Sequence, residues 1–532
     1  MNSEDSHSVF LEASDIFFRH YHNKPYTLFN PALFHRRVAQ RQIPRYLQFC
    51  LIATAVRFSS HIQWKQRKQK TIDSYAQASW EMIMCSPDGL GDTSDVSVIQ
   101  ALALLATIDA TAGRRRAAWV KIGMAVRISQ DLKMMLEPDE SLPAAEREER
   151  RSIFWSLFFL DRFVCCSYRR PHAIQISDCR LYLPVDRALQ GTRSPLTLGQ
   201  LLDEEVRDET DQVVGLSGLS VGFAALLGRT IDCMINRELS EAQPWRPKSD
   251  YNVIYTSLEF LKELADRPAP KDNPSEGKVR DSDLSHDDRT SHQVLCLTLY
   301  HLTHCILSHP FLLGLSREAH RFTPTAWVEG QIASCWTHAQ ALTTVVVDAK
   351  AAGYMFAPSF YSYCILVAGT VHGILLHGEE KSASERASQY LKTSLEYLSQ
   401  ISEMWQNSYI MSNALRFFTN RCVRYSRILL GPTTRFQDLT PMDRTVLRSV
   451  LDYWTMMDPR NPVSQLSAMN FDCFAESKDN PPDEATDISG SSRDENLGTV
   501  DPKILVEFPL SISSPTREDG QFQEWNWNNE LG

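Results

Sequence analysis

The chain is poor in the short motifs that carry metal binding and catalysis. No C-x2-C pair occurs anywhere and no cysteine precedes Cys50, which excludes a zinc site built from closely spaced thiolates. Neither G-x4-G-K-[ST] nor G-x-G-x2-G is present, so nucleotide cofactors are not indicated. The N-terminus, MNSEDSHSVFLEASDIFF, lacks the basic start and small-residue cleavage site of a secretory signal. Period-two alternation is scarce and no repeat of about 20–50 residues is evident, which argues against sheets and solenoids. The longest uncharged apolar run, Phe360 to His377, contains two His, two Gly, Ser and Thr and lacks basic flanks. It reads as a buried helix rather than a membrane span.

What is present suffices for a large core. The chain has 532 residues, 43% hydrophobic and 10% aromatic, a length equivalent to about three or four domain-sized units. The formal net charge is −10, and it is unevenly placed. Phe471 to Gly532 holds fourteen Asp/Glu and four Lys/Arg, so the tail carries the whole excess and the body is neutral. A neutral body argues against an extensive nucleic-acid surface. The twelve cysteines are scattered, with Cys165-Cys166 the one close pair. Without an export signal they read as reduced, buried thiols.

Ala117 to Pro184 organises the rest. Ala118, Trp119, Ile122, Ala125, Val126 and Leu132 recur at helical spacing, predicting an amphipathic helix. Gly123 inside it costs helix stability but lets another backbone come close. From Ile153 to Cys166 the chain is apolar nearly all round, broken only by Ser156 and Asp161-Arg162. A helix of that kind belongs in the middle of a protein. Pro171 stops it. Further helices are expected at 11–37 with a turn around Pro25 and Pro31, 44–59, 95–112 with a cap at Asp92 or Asp95, 196–240, 249–265, from Val294 to near His309-Pro310, and at 325–352, 358–377, 382–406, 408–429 and 440–456. Asp266 to His292 is rich in Pro, Gly, Ser and charge and reads as a disordered linker. The expected organisation is therefore all-α: residues 1–265 and 293–465 as two halves of a helical body, 266–292 as linker, and 466–532 as a disordered acidic-aromatic tail.

The order and spacing of residues across this stretch resemble the middle homology region of fungal zinc-binuclear-cluster (six-cysteine) transcription factors. The resemblance rests on Trp119, Gly123, Ala125, Arg127, Asp131, Leu132, Glu146, Arg150, Arg151, Phe154, Trp155, Asp161, Arg162, Pro171 and Pro184. Gln100-Ala101-Leu102 and the run Leu51, Ala55, Arg57, Phe58, Ser59 extend it. It implies a large helical domain that restrains or relays activation, a nuclear location, and partners in the transcription machinery or among co-regulators. It also implies zinc in an N-terminal DNA-reading module of six cysteines. This sequence contains no such module, which leaves two alternatives: a truncated chain, or a regulator that reaches DNA only through a partner. Family members often control metabolic gene sets, including clustered secondary-metabolite genes. The tail composition, with Phe522, Trp525 and Trp527 among acids, is that of an activation segment or a plain disordered tail.

Other constellations admit bland readings. His301, His304 and Cys305, with His309 beyond, lie at helical spacing; packing is favoured over metal because no acid sits beside them. Gly218 to Gly222 fits G-x-S-x-G around Ser220, yet no convincing strand precedes it and no H-G-G-G run exists, so a small-residue packing face is favoured over a hydrolase elbow. Arg114 to Arg116 reads as a surface turn, and His61 to Lys70 as a solvated basic helix face. Arg127 with Asp131, and Asp161 with Arg162, read as ion pairs that lock two helices in register. A small-molecule effector in a pocket between core helices is the alternative to a purely protein-directed regulator.

Overall fold

In the computed structural model the described residues are 3–59, 67–85, 95–168, 170–185, 196–203, 214–236, 243–267, 282–319, 323–354, 359–378, 380–430 and 433–456. They form helices α1 (Ser3–His20), α2 (Pro31–Ala39), α3 (Arg45–Val56), α4 (Lys68–Cys85), α5 (Val96–Thr111), α6 (Arg115–Asp131), α7 (Ala144–Val164), α8 (Leu198–Leu202) and α9 (Leu216–Ile231). Next come α10 (Asp250–Asp266), α11 (Ser282–Leu307), α12 (Pro310–Ala319), α13 (Thr325–Ala351), α14 (Phe360–Leu375), α15 (Lys381–Ile401), α16 (Gln406–Thr419), α17 (Cys422–Leu429) and α18 (Pro441–Ser449). Among the described residues the sole β-type pairing is one isolated antiparallel bridge, Tyr182 to Thr197. The body is all-α, as its patterning requires.

Local chemistry sets the helix ends. Asp95 caps α5 by accepting from the Ser97 amide at 2.8 Å, satisfying a donor that the helix start leaves free. Thr440 and Asp443 form a reciprocal capping box at α18. Expected 408–429 is two helices, broken at Asn420 and Arg421. Helix α7 ends at Val164, well before Pro171. What stops it is a side-chain-bonded turn, described below.

Two helices lie at the centre of their neighbourhoods. Helix α7 packs against α5, α6 and α9. Helix α14 packs against α11, α13, α15, α16 and α17, and every residue from Phe360 to Ile374 is buried. That is the run long enough to have raised a membrane span, and protein surrounds it. The longer apolar stretch Leu216–Ile235 is also mostly buried. Helix α9 touches both α7 and α11, so the two sequence halves share one hydrophobic core. One compact unit spans Met1–Glu476, where chain length alone allowed for several. Helix α11 begins at Ser282, inside the stretch read as linker. Once its apolar C-terminal half is helical, extension through polar residues costs little. Residues 268–281, and the tail with Phe522, Trp525 and Trp527, lie outside the described residues.

Free thiols number eleven among the described residues, and only Cys85 is exposed. Burial pushes the Cys50 thiol up to about 12, so buried thiols are both shielded and un-ionised. In a Cys473→Ser background, the native protein at pH 8 is expected to react with a thiol probe first at Cys85, and Cys85→Ser should remove that fast phase. A fast phase that survives would contradict the packed core.

Candidate regulatory site

The residues that carry the resemblance converge where α7 ends. Asp161 and Arg162 are each 2% exposed, and their side chains pair at 2.8 Å. Each also binds the loop after the helix. Asp161 accepts from the backbone amides of Ala173 and Ile174 at 3.0 and 3.1 Å. Arg162 donates to the Ile174 carbonyl at 2.7 Å, and its guanidinium lies 4.3 Å from the Phe158 ring centre. Burial lowers the Arg162 pKa, with Asp161 opposing the shift. The pair therefore fastens the loop behind Pro171 to α7. It does not set the register of α6 against α7, as the sequence reading expected, because the loop's backbone donors are nearer and otherwise unmet. Gly228 of α9 completes the seat: a Cβ there would come within 2.8 Å of Arg162 Cδ.

The far end of the body closes the same site. Asp452 is 3% exposed and accepts from Ser167 Oγ at 2.7 Å and from the Tyr168 amide at 2.9 Å. It also accepts from the amides of Trp454 and Thr455 at 3.0 and 2.8 Å. Trp454 Nε1 donates to the Val164 carbonyl, and the Tyr453 amide to that of Cys166 at 3.0 Å. The last carbonyls of α7 are thus satisfied by a turn from the end of the body. Sequence reasoning missed Asp452. Its signal was local: an Asp followed by two aromatics and Thr after the last apolar helix, the composition of an Asx turn.

Other motif residues tie this helix to the N-terminal segment. Gln100 Nε2 donates to the Leu28 carbonyl at 2.6 Å. Ser156 Oγ accepts from the Thr27 amide at 2.8 Å, and Glu149 accepts from the Asn30 amide and from Arg37. Trp155 Nε1 donates to the Tyr182 carbonyl at 2.9 Å. Arg151 pairs with Glu137, whose other oxygen accepts from the Tyr182 amide. The Pro184 carbonyl lies against Gly218 and accepts from Ser217. Pro171 accepts from the Cys165 thiol at 3.4 Å. Arg150 is half-buried and has no ion pair among the described residues. Arg57 is 8% exposed and bridges the halves by donating to the Met404 carbonyl and to Thr111, beside the Trp405 ring. Arg114 pairs with Asp109 and Asp73, and Arg115 donates to the Trp454 carbonyl, so two of the three arginines are structural.

Several expectations need correction. Trp119 does not share the buried face of α6; it is 42% exposed, with the Arg170 guanidinium over its ring. The buried face runs through Ala118, Ile122, Ala125, Val126 and Ser129, and Trp119 stands one residue, about 100°, away from Ala118. Arg127 bonds Gln130 at 2.9 Å rather than Asp131. A basic residue N-terminal to an acid at i,i+4 is the weaker orientation on a helix.

Ser220 lies inside α9, fully buried, and donates to the Ser217 carbonyl at 2.6 Å. A Cβ at Gly222 would come within 3.0 Å of Leu201 and Leu261, so these glycines make a packing face. His301, His304, Cys305 and His309 do not converge. His309 faces Thr370 at 3.1 Å and accepts from the Phe311 amide, while the Cys305 carbonyl faces the Cys335 thiol. His301 instead meets His338, Nδ1 to Nδ1 at 3.0 Å, and His304 stacks on His338 with ring centres 4.0 Å apart. No group of three or more His, Cys, Asp or Glu suited to a metal ion occurs among the described residues. Two open grooves run along α15, lined by residues such as Glu385, Arg386 and Lys392.

The family described as fungal specific transcription factor domain fits residues 14–228, which contain α7, its loop and most of α9. The chain is 22% identical over 424 residues to the Zn(2)-C6 fungal-type transcription factor FTF1c of Fusarium oxysporum f. sp. lycopersici, covering 74% of this chain and 43% of that protein. It is 26% identical over 181 residues to the ascochitine biosynthesis cluster transcriptional regulator of Didymella fabae, covering 33% and 30%. Over 249 residues it is 26% identical to the citrinin biosynthesis transcriptional activator mrl3 of Monascus ruber, covering 44% and 47%. The chain thus spans less than half the length of each of these three relatives.

Two measurements test the domain's chemistry. Asp161→Ala leaves Arg162 buried and unpaired, which is expected to cost about 3–5 kcal/mol in denaturant unfolding; an unchanged melting temperature would refute the central role of the pair. The histidine cluster sets an acid limit. Burial is the main cause that lowers His301 to about 4 and His338 to about 2, with His304 and, for His301, Lys262 adding to it and Glu259 opposing. Above the ordinary value of 6.5 neither state binds these protons. Below it the unfolded chain takes them up first, so stability falls as pH drops from about 6.5 towards 4. His301→Gln with His338→Gln should make the fall in melting temperature over that window shallower, with His309 and His372, both lowered to about 3 by burial, supplying the remainder; an equally steep profile would contradict this assignment.

Proposed function

We propose that this chain is the regulatory body of a fungal transcription regulator, acting in the nucleus on a metabolic gene set. The observation that carries the reading is the domain match over residues 14–228, falling on the helix and loop that the buried ion pair fastens together. Relatives named for ascochitine and citrinin biosynthesis support a secondary-metabolite gene set as the target. With a formal charge near zero outside the tail, the helical body is suited to protein partners more than to a phosphate backbone. DNA would be reached through a partner or through a zinc-cluster segment not contained in this sequence, and that segment, not this body, would hold the zinc.

Residues 471–532 supply the second element of the proposal. Their acids keep Phe522, Trp525 and Trp527 solvated and available to a groove on the transcription machinery. The whole chain fused to an unrelated DNA-binding domain is expected to activate a reporter in the nucleus. Changing Phe522, Trp525 and Trp527 to Ala should reduce activation severalfold at equal protein level. Reporter output that is absent, or indifferent to the aromatics, would remove the activation role from the tail.

A further inference from the structure

Two basic runs far apart in the sequence meet in the structure. From Ile16 to Ile72 the chain holds eleven Lys and Arg and no Asp or Glu. That stretch ends at the start of α4, with Arg67, Lys68 and Lys70. The second run is Arg114 to Arg116, at the start of α6. Arg114 pairs with Asp73 of α4 at 2.8 Å. Seven residues further along each helix, the Lys121 ammonium lies 4.3 Å from the Trp80 ring centre. Equal steps mean that the two helices point the same way, so their N-termini lie at one end. Both starts depart from the usual pattern. A helix N-terminus carries partial positive charge and favours acids, yet neither α4 nor α6 has one in its first turn. The acids within reach are already engaged: Asp73 by Arg114 and Gln69, and Asp109 by Arg114 and Lys121. Arg170, held between the Trp119 and Trp454 rings, adds a further charge beside Arg115.

We infer that the paired N-terminal ends of α4 and α6 contact the phosphate backbone of duplex DNA without reading its bases. Arg67, Lys70 and Arg116 are exposed and have no ion pair among the described residues. Lys and Arg presented at helix starts are the donors that phosphates take. A protein partner would call for apolar anchors among the charges, whereas the exposed side chains at the two starts, Arg67, Gln69, Lys70, Arg114 and Arg116, are all polar. The body is neutral on average, so the contact is local and engages few phosphates. It goes beyond the regulatory role proposed above, and it adds to whatever segment or partner selects the DNA sequence.

Fluorescence anisotropy of the full chain with a labelled duplex of about 20 base pairs tests the contact, and log K should fall against log salt with a slope of about −3, for three phosphates engaged. A duplex of unrelated sequence should bind equally. Lys70→Gln with Arg116→Gln should bring the slope to about −1 and weaken binding in low salt at least about tenfold. The melting temperature should not fall, since neither side chain is paired within the fold. Arg427→Gln with Arg448→Gln, exposed arginines of α17 and α18 that also have no ion pair among the described residues, should leave binding unchanged. Reporter output from a fusion that brings its own DNA reader does not depend on this contact. No binding up to about 100 µM chain in low salt, or equal losses in the two double variants, overturns the assignment. Displacement by polyglutamate as readily as by unlabelled duplex also overturns it, and gives this end to an acidic protein.

Discussion

A buried ion pair at the end of a buried helix governs this body. Asp161 and Arg162 are adjacent, so neither can leave the core without the other. Charges placed in a low-dielectric interior need partners for their lone pairs and protons, and of this pair's nitrogen and oxygen atoms Arg162 Nε alone has no hydrogen bond. Here the partners are backbone groups of the loop from Ala173 to Ile174. The pair ties that loop to α7, and Gly228 of α9 leaves room for the Arg162 side chain and His172. The path from the first half of the chain to the second, α7 to α9 to α11, runs through this contact. Its value to the fold is specificity of arrangement more than net stability, since an apolar core of equal volume would hold the helices at least as tightly.

Local grammar in the sequence reached far but not all the way. The apolar run from Ile153 to Cys166 announced a central helix, and Asp161-Arg162 stood out as its one charged break. The length and centrality of Phe360 to Leu375 were equally visible, because a helix apolar on every face has one place to go. Trp119 was misread for a physical reason. Hydrophobicity counts an indole as core-forming, whereas its position beside Ala118 turns it to the rim, where a guanidinium covers one face. The Arg127–Asp131 pair failed likewise, since spacing permits a contact that helix geometry and side-chain order make weak.

What could not be read was the far partner of each polar group. Nothing local says that Gln100 holds the Leu28 carbonyl, that Arg57 reaches Met404, or that Asp452 closes the turn at Ser167. These bonds join segments far apart in the chain, and a motif can register that a polar residue is needed without showing what needs it. The histidines illustrate the converse. Their spacing on α11 suggested a set, but the residue that completes the arrangement, His338, comes from α13.

The turn from Leu451 to Met456 has a consequence for how the protein is made. Trp454 and the carbonyl it satisfies on Val164 are 290 residues apart. At ribosomal speeds of about 5–20 residues per second, the end of α7 waits roughly 15–60 s for that partner. Throughout that interval a nascent chain carries the apolar C-terminal half of α7 with an unfinished terminus. Assembly of this body is therefore governed by the order of synthesis as well as by its final energy, and the stretch around Cys165-Cys166 is where a chaperone would have most to hold.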